Sequence, residues 1–512
     1  MDNRIMRKTK LLLIPLSVLV FAATSLVGCG GGGGDSSATS TSPTPTPVEV
    51  KSTVPNVVFI LTDDHGYADV GAQKVVSDIK TPNIDTLASN GVRMTAGYST
   101  APQCTPARSA LMSGRYQQKF GVDDNGATPF PLSQPMIAEK LKTAGYTTGM
   151  VGKWHLDIDP NSRAWYAREY PGADVSKFTP NNIPFDTRVM YYPHKRGFDE
   201  IFFGYMNSYY ANFSLDGSKH EPRQITDRRF RVDVVADAAV SFIERNRSKP
   251  FFLYVSFYAP HVPLEASQEY LDRFSVAMKE RRRYALAMLS AVDDGVGRIQ
   301  NTLKANGIDE NTLIFFVGDN GAPTGMGEQD IPISVDSYAW DGSINAPWIG
   351  EKGMLSEGGI RTPFIFQWKK SIPKGLVFDQ PVNILDAVAT IMTAAGKPDS
   401  TAYDGVDLVP YLNNKTKALE LNTRPLYWRF WNQSAIRKGQ WKYMLLADGH
   451  EYLFDMNSID NEKVNRIKDY PGMASSLKAD LTLWSNGLQQ PGLPGTALNV
   501  QEASWYSYYF KN

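Results

Sequence analysis

The segment from Cys104 to Gly114 contains the residue types that could form a reactive site. Pro106 fits the first turn of a helix, because its missing N–H costs no hydrogen bond there, and the next residues are compatible with a helix. The sequence therefore predicts Cys104 at a helix N-terminus, where free N–H groups and the helix dipole favour an anion. Arg108 adds a positive charge one turn later. The pattern indicates a nucleophile presented to an anionic group; a buried or merely reactive cysteine is the alternative interpretation.

Two pairs of polar side chains follow strongly apolar runs of the sequence. Asp63 and Asp64 follow one run, and Asp319 and Asn320 follow another. Each pair alone is typical of a turn or a helix cap. If the two runs are neighbouring parallel strands, however, three carboxylates meet at one edge and need a cation between them. Oxygen ligands of this kind suit Ca²⁺ or Mg²⁺.

The elements that must position these groups are buried strands with polar residues at their carboxyl ends. The strands are predicted at residues 56–62, 146–151, 251–257, 312–317 and 363–368. Helices are predicted at residues 81–91 and 133–144 and along an apolar stripe at residues 284–303. This alternation predicts an α/β fold with a mostly parallel sheet sandwiched by helices, whose ligand site lies at the carboxyl edge of the strands.

The last part of the chain has a different pattern. From about residue 399, short aromatic strands alternate with turns, and a helix is predicted at residues 473–484. We therefore expect a catalytic domain at residues 53–398 and a smaller α+β subdomain with a short antiparallel sheet at residues 399–512. The basic run at residues 281–283 is predicted to be a solvated helix face.

The N-terminus is predicted to be a targeting segment. Residues 1–28 combine a basic start with a short apolar run, and Leu-Val-Gly-Cys29 at its end resembles a bacterial lipobox. This resemblance implies a signal peptide cleaved before Cys29, lipidation of Cys29, and a Gly/Ser/Thr/Pro tether at residues 29–52. A plain secretory signal is the alternative. We expect an exported bacterial lipoprotein, anchored to a membrane and facing the periplasm or the cell surface.

Composition excludes one class of partner. The 53 basic and 53 acidic side chains cancel, so the chain lacks the basic excess of a nucleic-acid binder. Two cysteines in an exported chain could form a disulfide, but Cys29 lies in a tether beside the predicted lipid, which disfavours pairing with Cys104.

Taken together, the motifs resemble those of the formylglycine-dependent type I sulfatases of the alkaline phosphatase superfamily, in particular bacterial carbohydrate sulfatases. The matching segments are Cys104-x-Pro-x-Arg108 with Ser113-Gly-Arg115, Asp63-Asp64, Gly152-Lys153-Trp-His155, Ala-Pro-His261, Asp319-Asn320-Gly and Glu351-Lys352-Gly. The resemblance implies an alkaline-phosphatase-like fold and hydrolysis of sulfate esters. It also implies that a formylglycine-generating or sulfatase-maturating enzyme converts Cys104 to formylglycine. The metal shell implied for calcium, with magnesium as the alternative, is Asp63, Asp64, Cys104, Asp319 and Asn320.

The same resemblance implies roles for the cationic residues. Hydrated formylglycine 104 attacks sulfur, and Lys153 and Lys352 bind the sulfate as point charges. Arg108 bridges the formylglycine and the oxygens of the metal site. We assign His261 to protonate the leaving oxygen and His155 to deprotonate the gem-diol, which then collapses to the aldehyde. His65 lines the pocket or lies behind it.

The substrate class is an expectation from resemblance. We expect a sulfated polysaccharide or oligosaccharide, such as the algal galactan carrageenan. Insertions at residues 157–195 and 328–344 are expected to build specificity; Trp165, Tyr191 and Trp348 stack on sugars or pack within loops. A phosphonate monoester or phosphodiester hydrolase of the same superfamily is one alternative, and a non-catalytic surface glycan-binding lipoprotein is another.

Overall fold

A computed structural model of the chain describes residues 54–335, 339–489 and 497–510, with only the backbone for residues 497–499. The predicted signal peptide, the tether and Cys29 lie outside the described residues. Within those residues, no helix is both long enough and apolar enough to cross a membrane.

The strands alternate with helices through most of the chain. The strands are β1 (Asn56–Asp63), β2 (Val92–Met94), β3 (Gly97–Tyr98), β4 (Thr147–Gly152), β5 (Glu200–Tyr205), β6 (Ser208–Phe213), β7 (Lys219–Thr226), β8 (Phe251–Pro260), β9 (Thr312–Gly318), β10 (Phe364–Gln367), β11 (Leu376–Phe378), β12 (Val382–Asn383), β13 (Leu426–Phe430), β14 (Gln433–Lys438), β15 (Trp441–Leu445) and β16 (Glu451–Asp455). The helices are α1 (Pro82–Ser89), α2 (Cys104–Ser113), α3 (Ile137–Thr143), α4 (Arg163–Glu169), α5 (Phe185–Val189), α6 (Arg231–Asn246), α7 (Gln268–Leu271), α8 (Glu280–Ala305), α9 (Glu357–Ile360), α10 (Ile384–Ala394), α11 (Val409–Leu412), α12 (Lys415–Ala418), α13 (Pro471–Asn486) and α14 (Ala497–Tyr509).

Ten strands of the described chain form one large sheet in the order β11-β2-β10-β9-β1-β8-β4-β5-β6-β7. The central strands β9, β1, β8, β4 and β5 are mutually parallel, whereas β10, β6 and β7 add antiparallel pairs toward the two sides. The five predicted strands are therefore confirmed. The hairpin β6–β7 lengthens the sheet beyond the prediction.

The central strands are buried on both faces because their apolar side chains alternate between two cores. Val57, Phe59 and Leu61 of β1 pack with α2, α3 and α10, while Val58 and Ile60 pack with α1, α6 and α8 on the other face. Each fully buried side chain of this size contributes about 1.5–3 kcal/mol. This packing fixes the position of the strand ends, where the polar residues follow.

The C-terminal region contains a separate antiparallel sheet in the order β13-β14-β15-β16, and α13 packs against it. The predicted α/β fold with a small antiparallel sheet is thus confirmed. The boundary at residues 398/399 stays a prediction, because residues 51–512 form one compact unit. Helix α14 was not predicted from the sequence.

The prediction that residues 281–283 form a solvated face is wrong for its first two members. Arg281 and Arg282 in α8 are buried. The Arg281 guanidinium donates to the carbonyl oxygens of the loop before Asp341, and Arg282 donates to Asp69 and Asp78. Buried charges of this kind are tolerated because every part of the guanidinium finds an acceptor.

Candidate active site

The predicted site residues meet at one edge of the large sheet. Parallel strands β1, β4, β8 and β9 bring their carboxyl ends together, which is where open α/β sheets hold their ligands. Asp63 ends β1, Lys153 follows β4, His261 follows β8, and Asp319 follows β9. Cys104 joins them from the first position of α2, as predicted.

Cys104 is fully buried among charged groups. Its thiol donates to Asp63 Oδ1 across 3.2 Å and lies 3.9 Å from Asp64 Oδ1, and Lys153 Nζ lies 3.6 Å from its Sγ atom. Burial raises the pKa of this thiol well above its usual range, and the charge of Asp63 raises it further. Without a bound cation, both effects favour the protonated thiol over the nucleophilic thiolate.

The three carboxylates are each paired with a different cation. Asp63 Oδ2 accepts from Lys153 at 2.6 Å, and Asp64 Oδ2 accepts from Lys352 at 2.7 Å. Asp319 Oδ2 accepts from Arg108 at 2.8 Å. The acidic set is thus held together by positive charges.

The surroundings shift the pKa values of the neighbouring Asp63 and Asp319 carboxyl groups in opposite directions. Burial opposes ionisation of Asp63, but the positive charges of Lys153, His261 and Arg108 outweigh it, so the pKa of Asp63 lies well below its usual range. Burial and the charge of Asp63 raise the pKa of Asp319 to about 7. A further positive charge among these oxygens would favour ionisation of both carboxyl groups.

Asn320 provides a test of whether a cation fits. Its Nδ2 donates to Asp64 Oδ1 at 2.7 Å, but its Oδ1 atom is buried and has no hydrogen-bond partner. Buried polar atoms normally have a partner. Asp63, Asp64, Cys104 and His261 also place a potential ligand atom each within 4.8 Å of one another. The oxygen-rich set fits a hard divalent cation.

Arg108 fixes the geometry of this cluster. Besides Asp319, its guanidinium donates to Ser256 Oγ at 2.6 Å and to the carbonyl oxygen of Lys153 at 3.2 Å. The side chain is completely buried. It therefore ties the ends of β4, β8 and β9 to helix α2.

The two predicted catalytic histidines have different surroundings. His261 Nδ1 lies 2.6 Å from the carbonyl oxygen of Val262, and its Nε2 lies 3.6 Å from Asp64 Oδ2. His155 Nε2 lies 3.5 Å from Asp159 Oδ2. Burial lowers the pKa of both rings to about 4. His261 thus belongs to the charged cluster, while the His155 ring pairs with an acid of the first insertion.

Two site residues have a left-handed backbone. The φ angle is +58° at Asp64 and +57° at His155. Residues other than glycine seldom adopt this conformation, and such strain concentrates at functional sites. His65, by contrast, lies behind the site, where its ring nitrogens contact Thr62 Oγ1 and the carbonyl oxygen of Asp69, both at 2.9 Å.

A cavity of about 920 Å³ opens onto the cluster. Its lining includes Asp64, His261 and Lys352 from the predicted site. The other side chains and backbone segments that line it are Gln103, Asn161, Val262, Pro323, Gly325, Met326, Ala339, Glu351, Trp431, Gln501, Ser504 and Trp505. The volume is large enough for more than the sulfate-sized end of a ligand.

Among the described residues, each of the two insertions contributes one residue to this lining. Asn161 comes from the first insertion and Ala339 from the second. Trp165 and Tyr191 pack inside the first insertion, and Trp348 packs against Tyr67 and the Arg361 guanidinium. These three aromatic residues therefore pack within or against loops, which is the second of the two roles considered for them.

The C-terminal helix α14 is the part of the cavity that sequence reasoning missed. Gln501, Ser504 and Trp505 line the cavity from this helix, and Trp431 lies beside them at the end of β13. The aromatic residues that cluster from Trp505 onward were the available signal, because so apolar a segment is expected to pack against the rest of the protein.

Three comparisons with known proteins agree with this arrangement. A family model described as Sulfatase matches residues 55–397. N-acetylgalactosamine-6-sulfatase of Mus musculus is 31% identical over 422 residues, covering 76% of this chain and 71% of that protein. The crystal structure of Ps i-CgsB is 29% identical with a TM-score of 0.70, covering 90% of this chain and 100% of that chain. The structure of Ps i-CgsB in complex with k-i-k-neocarrahexaose is 28% identical with a TM-score of 0.69, over 89% and 97%.

Proposed function

The chain belongs to the sulfatase family and is a sulfuric ester hydrolase, and we propose that it removes sulfate from sulfated carbohydrates. The observation that carries this proposal is the buried cluster of Cys104, three carboxylates and three cations at the edge of a cavity of about 920 Å³. Such a cluster matches an anionic ester whose charge must be stabilised during bond cleavage.

We propose that Cys104 is converted to formylglycine by a maturation enzyme. The Cys104-x-Pro106-x-Arg108 segment, which resembles the sulfatase signature, supports this proposal. The hydrated formylglycine supplies the hydroxyl group that attacks sulfur. Lys153 Nζ and the N-terminus of α2 stand beside residue 104, where both stabilise negative charge on its side chain.

Ca²⁺, or alternatively Mg²⁺, would be held by Asp63, Asp64, Asp319 and Asn320 together with residue 104. The unpartnered Oδ1 atom of Asn320 and the crowded carboxylates support this assignment. The cation supplies positive charge that offsets these carboxylates and the sulfate. Arg108 holds Asp319 in place through two hydrogen bonds.

Two lysines are suited to bind the sulfate oxygens. Lys153 and Lys352 each pair with one carboxylate, so their ammonium groups are already positioned toward the cluster. A donor that is already in position loses little conformational freedom when negative charge redistributes over the sulfate oxygens during cleavage of the ester. The lysines are therefore placed to stabilise negative charge on the sulfate oxygens in the transition state.

His261 is assigned to donate a proton to the leaving oxygen of the sugar. Its ring lines the cavity near Asp64, and its pKa of about 4 is low because the ring is buried. A bound sulfate brings negative charge beside this ring, which raises its pKa and favours the protonated form. His155 is assigned to accept a proton from residue 104, with Asp159 available to stabilise the charged ring.

The substrate is proposed to be a sulfated polysaccharide or its oligosaccharides, with a carrageenan-type galactan as the specific candidate. The cavity holds more than the sulfate group, and the similar structure of Ps i-CgsB binds k-i-k-neocarrahexaose. Both observations favour a carbohydrate over a small aryl ester as the natural ligand.

We also propose that the enzyme is exported and anchored through a lipid on Cys29, from the lipobox-like sequence. Palmitate labelling of cells that express the full chain tests this proposal. Labelling that disappears in a Cys29→Ser variant is the expected result. Equal labelling of both proteins, or of neither, would contradict the anchor.

The chemistry is tested by mass spectrometry of the peptide that contains Cys104, from protein produced in a bacterial host with a maturation system. A mass about 18 Da below that of cysteine is expected for formylglycine, and it differs from the added oxygen masses of oxidised cysteine. An unmodified cysteine in fully active protein would contradict the proposal that formylglycine is the nucleophile.

A second assay separates this proposal from a phosphonate monoester or phosphodiester hydrolase. Rates on aryl sulfate, aryl phosphonate monoester and aryl phosphodiester substrates with the same leaving group are compared. The highest kcat/KM is expected for the sulfate, and Cys104→Ala serves as the inactive control. A preference for either phosphorus ester would reassign the reaction.

A further inference from the structure

Arg231 is a buried cation that lies behind His261, the residue proposed as proton donor. It is the first residue of α6, and only 1% of its surface is exposed. Its Nη2 group donates to the carbonyl oxygen of His261 at 3.0 Å and to that of Pro263 at 2.8 Å. A single guanidinium nitrogen therefore holds the backbone on both sides of Val262.

This proline-rich segment has few backbone hydrogen bonds available to fix it. Pro260 and Pro263 have no N–H group, so two of its four residues cannot donate to a neighbouring strand or turn. His261 and Val262 line the cavity, so one side of the segment faces open space. Arg231 anchors the segment from its buried side.

The other contacts of the guanidinium attach it to the ends of two strands. Its central carbon lies 5.8 Å from the ring centroid of Tyr205, at the end of β5, and 5.5 Å from that of Tyr258, near the end of β8. Its Nη1 group donates to Met206 Sδ at 3.4 Å. Its Nε atom lies 3.3 Å from Oε1 of the partly exposed Glu265 without hydrogen-bond geometry, so this pair adds little. The carbonyl oxygens of the His261 segment are thus its shortest contacts with oxygen.

The His261 ring is oriented by the carbonyl group that lies between the two held by Arg231. Its Nδ1 atom lies 2.6 Å from the Val262 carbonyl oxygen. A carbonyl oxygen can only accept, so Nδ1 carries the hydrogen in this bond. Nε2 is then the nitrogen that faces the cluster, 3.6 Å from Asp64 Oδ2. A shift of the Val262 backbone would therefore move Nε2 away from the leaving oxygen.

Resting on the proposed role of His261, we infer that Arg231 is a positioning residue for proton transfer to the leaving oxygen of the sugar. It acts through the backbone of residues 261–263 and, being buried, does not touch the substrate. Misplacing a catalytic group by about 1 Å costs about a hundredfold in rate. Loss of Arg231 should therefore slow the step that needs the proton, whereas Lys153 and Lys352 still bind the sulfate.

The test compares three substrates that need the proton to different degrees. p-Nitrophenol leaves readily as an anion, phenol leaves less readily, and a sugar oxygen must be protonated as it leaves. Arg231→Met is expected to lower kcat/KM about a hundredfold on a carrageenan oligosaccharide, about tenfold on phenyl sulfate and less than about threefold on p-nitrophenyl sulfate. Equal losses on all three substrates would show a general structural effect and overturn the inference.

Arg196→Met is the matched control. Arg196 is also buried, its Nη2 group donates to the carbonyl oxygens of Gln134 and Pro131 at 2.7 Å and 3.5 Å, and its guanidinium lies 5.1 Å from the ring centroid of Phe130. None of these four residues lines the cavity. The variant should lower stability and leave the ratios of kcat/KM among the three substrates unchanged. A change in these ratios like that in Arg231→Met would overturn the inference.

Arg231→Lys provides a milder change at the same position. Its ammonium group can replace one of the two hydrogen bonds, so we expect the same order of losses among the three substrates, each smaller than in Arg231→Met. This variant also carries the test if Arg231→Met does not fold. Equal losses on the three substrates in Arg231→Lys would count against the inference in the same way.

His261→Ala separates a failure of this inference from a failure of the proposed function. If His261 donates the proton, its loss should depend on the leaving group in the same way, and adding Arg231→Met should cause little further loss. A selective loss in His261→Ala but not in Arg231→Met would reject the role of Arg231 alone. Equal losses on all three substrates in His261→Ala would reject His261 as the donor and the inference with it. A lack of hydrolysis of all three esters by the unaltered protein would reject the proposed function itself.

Discussion

The guanidinium of Arg108 donates two hydrogen bonds to a single oxygen of Asp319, from Nε at 3.0 Å and from Nη2 at 2.8 Å. Both side chains are completely buried. Because the two charges compensate each other away from water, removing Arg108 leaves the Asp319 carboxyl group buried with the backbone N–H of Asp64 as its remaining hydrogen-bond donor.

Arg108→Met is therefore expected to destabilise the protein by about 3–5 kcal/mol. The double variant Arg108→Met/Asp319→Asn should regain much of this loss, because no unpaired charge remains, yet it should stay inactive. Urea unfolding measures the free energy of unfolding of the single and the double variant. A chelator is present so that no metal ion takes the place of the lost guanidinium group. A single variant as stable as the double variant would contradict this account.

Removal of the proposed cation is expected to lower stability by an amount that depends on the concentration of Ca²⁺. At about 100 times the dissociation constant, a bound ion adds about 2.7 kcal/mol. Asn320→Ala should weaken this calcium-dependent gain, because it removes the buried oxygen that has no protein partner. Thermal unfolding with a chelator and with added calcium measures the difference.

Asn345→Ala is the matched control for that experiment. Asn345 is also buried, but its Oδ1 accepts from the backbone of Ala322 and its Nδ2 donates to Ala322 and Gly350. Its loss should lower stability equally with and without calcium. If both variants respond to calcium like the unaltered protein, Asn320 does not hold the cation.

Much of the fold and the catalytic edge could be predicted because local patterns determine them. The strand at residues 56–63 is buried on both faces, so it is a continuous apolar run, and the run ends where Asp63 and Asp64 begin. Cys104 could be placed because a proline is compatible with the first helical turn.

The rest depended on contacts between distant parts of the chain. Arg281 belongs to a run of three arginines, a pattern that predicts exposure to solvent. It is buried because it donates to carbonyl oxygens about 50 residues away in sequence. The part of the cavity lining that comes from α14 has the same origin, since Trp505 lines the cavity where it packs against Gly353 and Trp431. No local pattern encodes either contact.

Arg281 is expected to control how the second insertion lines the cavity. Its guanidinium donates to the carbonyl oxygens of Ile331, Pro332, Val335 and Trp340, next to the lining residue Ala339. Arg281→Met should cost about 2–4 kcal/mol of stability, because it leaves these buried acceptors without donors. It should also raise KM for the oligosaccharide more than KM for an aryl sulfate.

Arg283→Met is the control for that prediction. Arg283 donates to the carbonyl oxygens of Leu271 and Phe274, outside the cavity lining. Its loss should leave the ratio of the two KM values unchanged. The same ratio in Arg281→Met and Arg283→Met would show that the second insertion is not shaped by Arg281.

His194 is expected to make the protein less stable in mild acid. Its ring packs near Tyr192 and Tyr210, its Nδ1 atom is buried without a partner, and burial together with the Lys195 charge lowers its pKa to about 4. In the unfolded chain the pKa is about 6.5, so between pH 6.5 and 4 the unfolded state binds the proton more readily. The free energy of unfolding therefore falls as pH falls through this window, by about 1–2 kcal/mol for a partly exposed ring.

His194→Phe should remove this part of the pH dependence in urea unfolding, whereas His450→Phe, at an exposed position, should leave it in place. Parallel pH profiles for His194→Phe and the unaltered protein would show that the packed ring does not sense acid.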